Sequence, residues 1–168
     1  MEFEDVIKNR ESVRKFDGKK PTEEQLQKIL EAGRIAPTAM NKQPVRVFVL
    51  ESEDALRKMD KLTPFRYGAK QVLLVCVDKD EEVTLQGESH PEIDGSIVAT
   101  HMLLEAFNVG VDTVWVGIFN GKDVKQEFNL ADNILPICYL DLGFRAADYS
   151  GNPMHKLRNP LSNMVKRI

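Results

Sequence analysis

The sequence predicts an α+β fold in which helices flank a central, mostly antiparallel β-sheet. Three observations carry this. Val72 to Val77 is an unbroken apolar run, as expected of a strand in the middle of a sheet with helices packed above and below it. The stretch DGSIVATHMLLEAFNVGVD, from Asp94, leaves few charged positions on any face and reads as a buried helix. Thr113 to Ile118 and Ile134 to Leu142 supply two further strands, with the helical-looking Val124 to Phe128 between them.

The remaining elements follow in order. Phe3, Val6 and Ile7 recur at helical spacing, which predicts a short amphipathic helix ending near Asn9. The polar stretch Arg10 to Lys20 is a loop or edge segment. Thr22, with Gln25 three residues on, is a capping-box start for a second helix. That helix carries Leu26, Ile29, Leu30 and Ile35 on one side and must end by Ala36, because Pro37 disfavours helical geometry in the residue before it. Val45 to Leu50 is a short strand and Glu53 to Lys61 a brief helix. Asp78 to Pro91, acidic and with Gly87, is the segment where mobility is expected. Asp94 or Ser96 caps the buried helix, and Gly110 ends it in a left-handed turn.

The chain of 168 residues is long enough to bury a core without metal or disulfide staples, and it is read as one domain over 1–168. Its 23 Lys plus Arg against 26 Asp plus Glu give a formal charge of -3, with the basic residues scattered, so nucleic-acid binding has no electrostatic support. The two cysteines, Cys76 and Cys138, lie in apolar runs without metal-ligand spacing and are read as buried thiols. No apolar run approaches the roughly 18 residues needed to span a membrane, and the N-terminus lacks an apolar leader segment. A cytoplasmic setting is the expectation.

Four clusters could carry chemistry. In RESVRKF, Arg10, Ser12 and Arg14 are spaced by two, so that in an extended segment all three leave on the same side. Such a strip suits a phosphate and a polar ring edge; it equally suits a solvated surface loop. Lys156 and Arg158, in HKLRNP, form a second basic pair that is either a plain tail or a partner for Arg10 and Ser12. In APTAMNKQP, a helix stops at a proline before Thr38, Asn41 and Gln43, residues that read the edge of a heterocycle or simply build a turn. In TVWVGIFN, Gly117 interrupts a strand pattern, which marks a bulge or a close approach of backbone to a ligand. Trp115, the only tryptophan, belongs more naturally to the core, as does His101 within the buried helix.

These clusters, in this order and at these intervals, resemble the FMN-dependent nitroreductase family. Its members open with R-x-S-x-R, follow a helix with an A-P-[ST]-x-x-N-x-Q-P loop and later show a W-x-G turn. The match runs from Phe3 to about Pro160. What the resemblance implies is a nitroreductase-like fold in a homodimer whose C-terminal segment reaches the partner, with FMN at the interface. Arg10, Lys156 and Arg158, with Ser12 alongside, would take the phosphate. Arg14 would sit by N1 and the C2 carbonyl, Thr38, Asn41 and Gln43 would come from the partner chain, and the backbone of Val116 and Gly117 would approach N5. The implied activity is that of a small NAD(P)H:FMN oxidoreductase, passing hydride from NADH or NADPH to a nitroaromatic, a quinone or a similar small acceptor by a ping-pong route. An FMN-storing or redox-sensing protein is the alternative. Val45 replaces the aromatic residue that commonly follows the Q-P pair, and the chain is short for the family, so Asp78 to Pro91 is the candidate for a small lid. The residues touching the pyrimidine ring are sought around Lys61 to Tyr67.

Overall fold

A computed structural model describes every residue from Met1 to Ile168. Its centre is a four-stranded sheet built from β1 (Val45–Leu50), β2 (Gln71–Asp78), β3 (Asp112–Val116) and β4 (Ile134–Gly143). The order is β1-β2-β4-β3, and every neighbouring pair is antiparallel. Every residue from Val72 to Val77 is fully buried, so β2 is the interior strand that its composition predicts.

The helices are α1 (Phe3–Asn9), α2 (Glu23–Arg34), α3 (Glu53–Leu62), α4 (Pro91–Asn108), α5 (Gly121–Glu127) and a last short α6 (Leu161–Met164). Helices α2 and α4 cover one face of the sheet, with Leu26, Ile29, Val98 and Met102 against Leu73, Val75, Cys138 and Leu140. The other face is sealed by Leu56 and Met59 of α3, Val124 of α5, and Val13 and Phe16 from the segment after α1. Both cysteines are buried and free. Burial pushes the Cys76 thiol up to about 12, so it is uncharged and inert.

Local signals account for most boundaries. The Thr22 hydroxyl accepts from Gln25 N at 3.2 Å, and the Gln25 carboxamide accepts from Thr22 N at 2.9 Å, closing the capping box. Gly110 takes a φ of +79° just past α4. The start of α4 differs from expectation: it lies at Pro91, whose missing N–H costs nothing in the first turn, and Asp94 stands inside the helix. His101 is on the exposed side of α4 with its Nδ1 2.8 Å from Ile97 O, and is not a core histidine. In α1 only Val6 is buried, while Phe3 and Ile7 stay exposed. No helix is long and apolar enough to cross a membrane.

One buried group runs against the apolar core. Asp141 of β4 has no exposed surface, and neither carboxyl oxygen receives a hydrogen bond. Burial holds its carboxyl well above the usual carboxylate range; the nearby Arg66 guanidinium pulls it down and Asp60 pushes it up. Arg66 is itself engaged by Asp60 at 2.6 Å. Above pH ~4 an unfolded aspartate has lost the proton that the folded one retains, so this group makes stability fall as pH rises towards its native value. The Asp141→Asn protein is therefore expected to gain stability over the parent by up to about 1.4 kcal/mol for each pH unit across that window. Urea unfolding at pH 4.5, 5.5 and 7 checks this, and a gap that stays constant would mean that Asp141 is ionised in the fold.

Candidate functional site

The segment after α1 runs alongside β3. Ser12 makes a parallel bridge with Thr113, Val13 N donates to Thr113 O at 2.9 Å, and the Tyr149 hydroxyl donates to Ser12 O at 3.1 Å. Val13 and Phe16 point into the core, while Ser12 is half-buried and Arg14 exposed. The two-residue spacing read in RESVRKF thus displays Ser12 and Arg14 outwards, as an extended segment should.

Arg10 follows directly on α1 and is half-buried. Burial lowers its pKa, and the next cause is the positive charge of Arg158. The two ends of the chain therefore come near enough for Arg10 to feel the charge of Arg158. Neither has a carboxylate within 4.0 Å, whereas Arg34, Arg46, Arg57, Arg66 and Arg145 all do. Arg158 donates only to Leu157 O, at 2.7 Å. Lys156 ends a short 3-10 turn, Pro153–Lys156, which is tied to α1 where His155 Nε2 lies 3.2 Å from Lys8 O. Lys156 lines the neighbouring groove with Lys8, Glu11, Arg145 and Tyr149. Two like charges without a counter-ion repel, and an anion between them would relieve that repulsion.

Arg14, Val116 and Gly117 line one cavity of about 150 Å³ with Phe65, Tyr67, Val114, Trp115 and Ile118. Gly117 lies just beyond β3, so it follows the strand and does not interrupt it. Its smallness has no cause within the chain. A methyl group there would meet only the Trp115 ring, at 3.6 Å or more, and its backbone does not require positive φ. Its N–H donates to no group of the chain. By contrast, a methyl at Gly33 would strike Met102 at 2.8 Å and one at Gly95 would strike Ile137 at 2.7 Å, so those glycines serve helix packing. Space at Gly117 is left for something outside the protomer. From the 61–67 region, the structure brings Phe65 and Tyr67 to this cavity, their ring centroids 6.0 Å apart.

The Thr38–Gln43 loop stands elsewhere. It leads into β1, at the opposite edge of the sheet from β3, three strand spacings or about 14 Å away. Thr38 and Gln43 line a separate cavity of about 260 Å³ with Arg34, Val45 and Met102. Met40, Asn41 and Gln43 all adopt left-handed backbone, with φ of 50°, 55° and 54°. Two bonds hold this conformation: Thr38 Oγ1 accepts from Gln43 N at 3.0 Å, and Asp94 Oδ1 accepts from Ala39 N at 2.9 Å. Asn41 and Gln43 are exposed. One chain therefore gathers Arg10, Ser12, Arg14, Val116, Gly117 and Arg158 along one edge, and holds Thr38, Asn41 and Gln43 at the other.

Comparison with known proteins places this geometry in a context. The Nitroreductase family model matches residues 7–65. The crystal structure of a nitroreductase family protein from Clostridium difficile 630 is 38% identical with a TM-score of 0.92, the match covering 99% of this chain and 98% of that one. A protein of Methanothermobacter thermautotrophicus, provisionally named an NADH dehydrogenase/NAD(P)H nitroreductase, is 27% identical over 87% of this chain and 78% of its own. A provisionally named nitroreductase from Exiguobacterium sibiricum, solved in complex with FMN, shares the fold at 22% identity with a TM-score of 0.86, covering 100% of this chain and 98% of that one.

The role of Asp94 as the anchor of the strained loop gives a direct test. Asp94→Ala is expected to cost about 1 to 3 kcal/mol by leaving Ala39 N–H without its acceptor, while Asp94→Asn, which keeps a side-chain oxygen, retains most of the stability. Chemical denaturation of both variants decides it; equal losses would assign the effect to the charge and not to the bond.

Proposed function

The chain belongs to the nitroreductase family, and from that membership we propose that it is an FMN-dependent oxidoreductase that takes reducing equivalents from NADH or NADPH and delivers them to a small oxidised acceptor such as a nitroaromatic or a quinone. The observation that carries the FMN reading is the pairing of Arg10 with Arg158, half-buried against exposed, with no carboxylate on either. A phosphate monoester is the anion such a pair suits, because each guanidinium can offer two parallel N–H donors. Ser12 and Lys156, each two residues from one of these arginines, would extend that site. Arg14, at the cavity beside Gly117, would offer a fixed positive charge to the N1 and C2 carbonyl edge of the ring system, where two-electron reduction places negative charge. The backbone of Val116 and the free N–H of Gly117 would face N5.

The other half of the site, Thr38, Asn41 and Gln43, is assigned to a second copy of the chain, so that the working unit is a homodimer with FMN between protomers. Two features support this. Every residue from Lys156 to Ile168 is exposed, including Leu157, Leu161, Met164 and Val165, an apolar tail with nothing of its own protomer to cover it. The outward side of α4 carries Ile93, Thr100 and His101 between its two glutamates, Glu92 and Glu105. Each chain then contributes one domain, in a cytoplasmic protein.

FMN, when bound, supplies the hydride acceptor and donor, which allows nicotinamide and acceptor to use one place in turn in ping-pong fashion. The protein's own work is to bind, orient and polarise, and no side chain is assigned as a nucleophile or general base. The segment 78–91 borders a cavity of about 290 Å³ beside Ala39 and is the candidate lid.

The first test is the absorbance spectrum of the purified protein, followed by anaerobic NADH and then NADPH. Flavin bands that bleach are expected; bands that persist would leave a flavin-holding protein without turnover, and a colourless protein that FMN cannot reconstitute would overturn the cofactor. Arg10→Ala and Arg158→Ala should each weaken FMN binding about tenfold or more, ~1.5 to 3 kcal/mol per charge-assisted contact, and unchanged flavin content in the double variant would remove the phosphate assignment. Arg14→Met is expected to shift the flavin potential to more negative values with a modest loss of binding, as read by potentiometry.

A further inference from the structure

Trp115 occupies the middle of β3, between Val114 and Val116. Its ring is partly buried against the cluster formed with α4 and β4, which explains its place in the core. Its polar edge does something else. Nε1 is the ring atom nearest to Gly117, 3.6 Å from where a methyl on that residue would stand, with Cδ1 next at 3.9 Å. The indole N–H finds no acceptor within the chain, nor is it among the polar atoms sealed in the interior. A tryptophan held in a core usually satisfies its one donor, and Trp115 is also one of the residues lining the cavity with Arg14, Tyr67 and Gly117.

The polar groups meeting at that cavity are mostly donors. Arg14 brings guanidinium N–H groups, Gly117 a backbone N–H without a partner and Trp115 an indole N–H, and no carboxylate lines the space. A rim of donors fits a ligand edge built of carbonyl oxygens and an unprotonated ring nitrogen. Gly117 completes the fit, since any side chain there would stand between Nε1 and the ligand.

We propose that Trp115 is a cofactor-orienting residue that donates its indole N–H to the C4 carbonyl oxygen of the isoalloxazine, the oxygen adjacent to N5. This rests on the assignment of FMN to this cavity with Gly117 at N5. In an isoalloxazine the C4 oxygen is the carbonyl acceptor adjacent to N5, whose other neighbour is the C6–H, so an N–H beside a group facing N5 has that oxygen as its acceptor. The bond would set the ring's tilt against β3, and by favouring electron density on that oxygen it would raise the reduction potential.

Because Trp115 is the only tryptophan, the ¹⁵N-labelled protein has a single indole N–H resonance. Flavin-free protein titrated with FMN should show that resonance moving downfield and its exchange with water slowing, as the FMN fluorescence is lost. Trp115→Phe, which keeps the aromatic packing but removes the donor, should bind FMN about three- to tenfold more weakly and shift the bound flavin to a more negative potential. FMN bound with the indole resonance unmoved, or a Trp115→Phe protein matching the parent in both affinity and potential, would overturn the proposal and leave the FMN reading intact. FMN that fails to bind the parent protein would overturn both. If Trp115→Phe does not fold, the resonance of the parent protein decides by itself.

Discussion

The six residues from Val72 to Val77 have no surface left for water, and satisfying them organises the molecule. Each Val or Leu removed from solvent contributes roughly 1.5 to 3 kcal/mol, but only if both faces of the strand are covered and both of its hydrogen-bonding edges are paired. β1 and β4 supply the edges, α2 and α4 one face, and α3, α5 and the Val13–Phe16 segment the other. With β2 enclosed, β1 and β3 necessarily become the two borders of the sheet. The borders are unequal. β3 is flanked by the chain's own residues at Ser12 and Val13, while β1 is not flanked on its outer side.

The candidate site inherits this layout. What the fold places at β3 comes from three distant parts of the chain, the start, the β3 turn and the C-terminal segment, because Ser12 pairs with Thr113 and the Pro153–Lys156 turn docks on α1. What it places at β1 is the strained loop, held from α4 by Asp94. The intervening strands β2 and β4 are paired on both edges and largely buried, so closing the gap within one protomer would mean breaking the sheet. The proposed division of the site between two copies rests on this separation of the two sheet borders.

How much of this was legible depended on the range of each interaction. The Thr22–Gln25 capping box, the left-handed Gly110 and the doubly buried β2 are written in adjacent residues and were read directly. The start of α4 was misplaced because two local signals competed, and the proline at the first helical position prevailed over the aspartate three residues on. That aspartate was spent on a bond to Ala39, 55 residues away, which spacing alone does not reveal. The amphipathic pattern of α1 was real, but its burial was not, since periodicity says which residues share a face and not whether the same chain covers it. His101 failed for the same reason on α4. Arg10, Ser12, Arg14 and Arg158 stand out by pattern, and the structure adds that Arg10, Arg14 and Arg158 have no carboxylate within 4.0 Å, unlike Arg34, Arg46, Arg57, Arg66 and Arg145. Asp141 was overlooked, although its place in the apolar run CYLDLG, between Leu140 and Leu142 on a strand buried on both faces, carries the signal.

The unfavourable features of this structure are not spread evenly. Repulsion between Arg10 and Arg158, three non-glycine residues in left-handed conformation within four positions, and donors at Gly117 and Trp115 without acceptors all fall at the two sheet borders. The repulsion and the left-handed backbone raise the free energy of the isolated protomer, and of these only the loop is held by bonds of its own protomer, from Thr38 and Asp94. Core elements, in contrast, agree in propensity, pattern and packing, apart from Asp141 and the unpartnered polar atoms of Thr63, Gln71, Thr113 and Tyr139. A ligand that places an anion between the guanidiniums and acceptors against the free donors would bind the folded chain and not the unfolded one, so its affinity is added to the stability of the fold. The borders are then unstable only as long as the protomer is considered alone. On the proposed reading, cofactor binding, pairing of two copies and completion of the fold would be one linked equilibrium, in which the residues whose charges and strain weaken the free chain would make the loaded assembly specific.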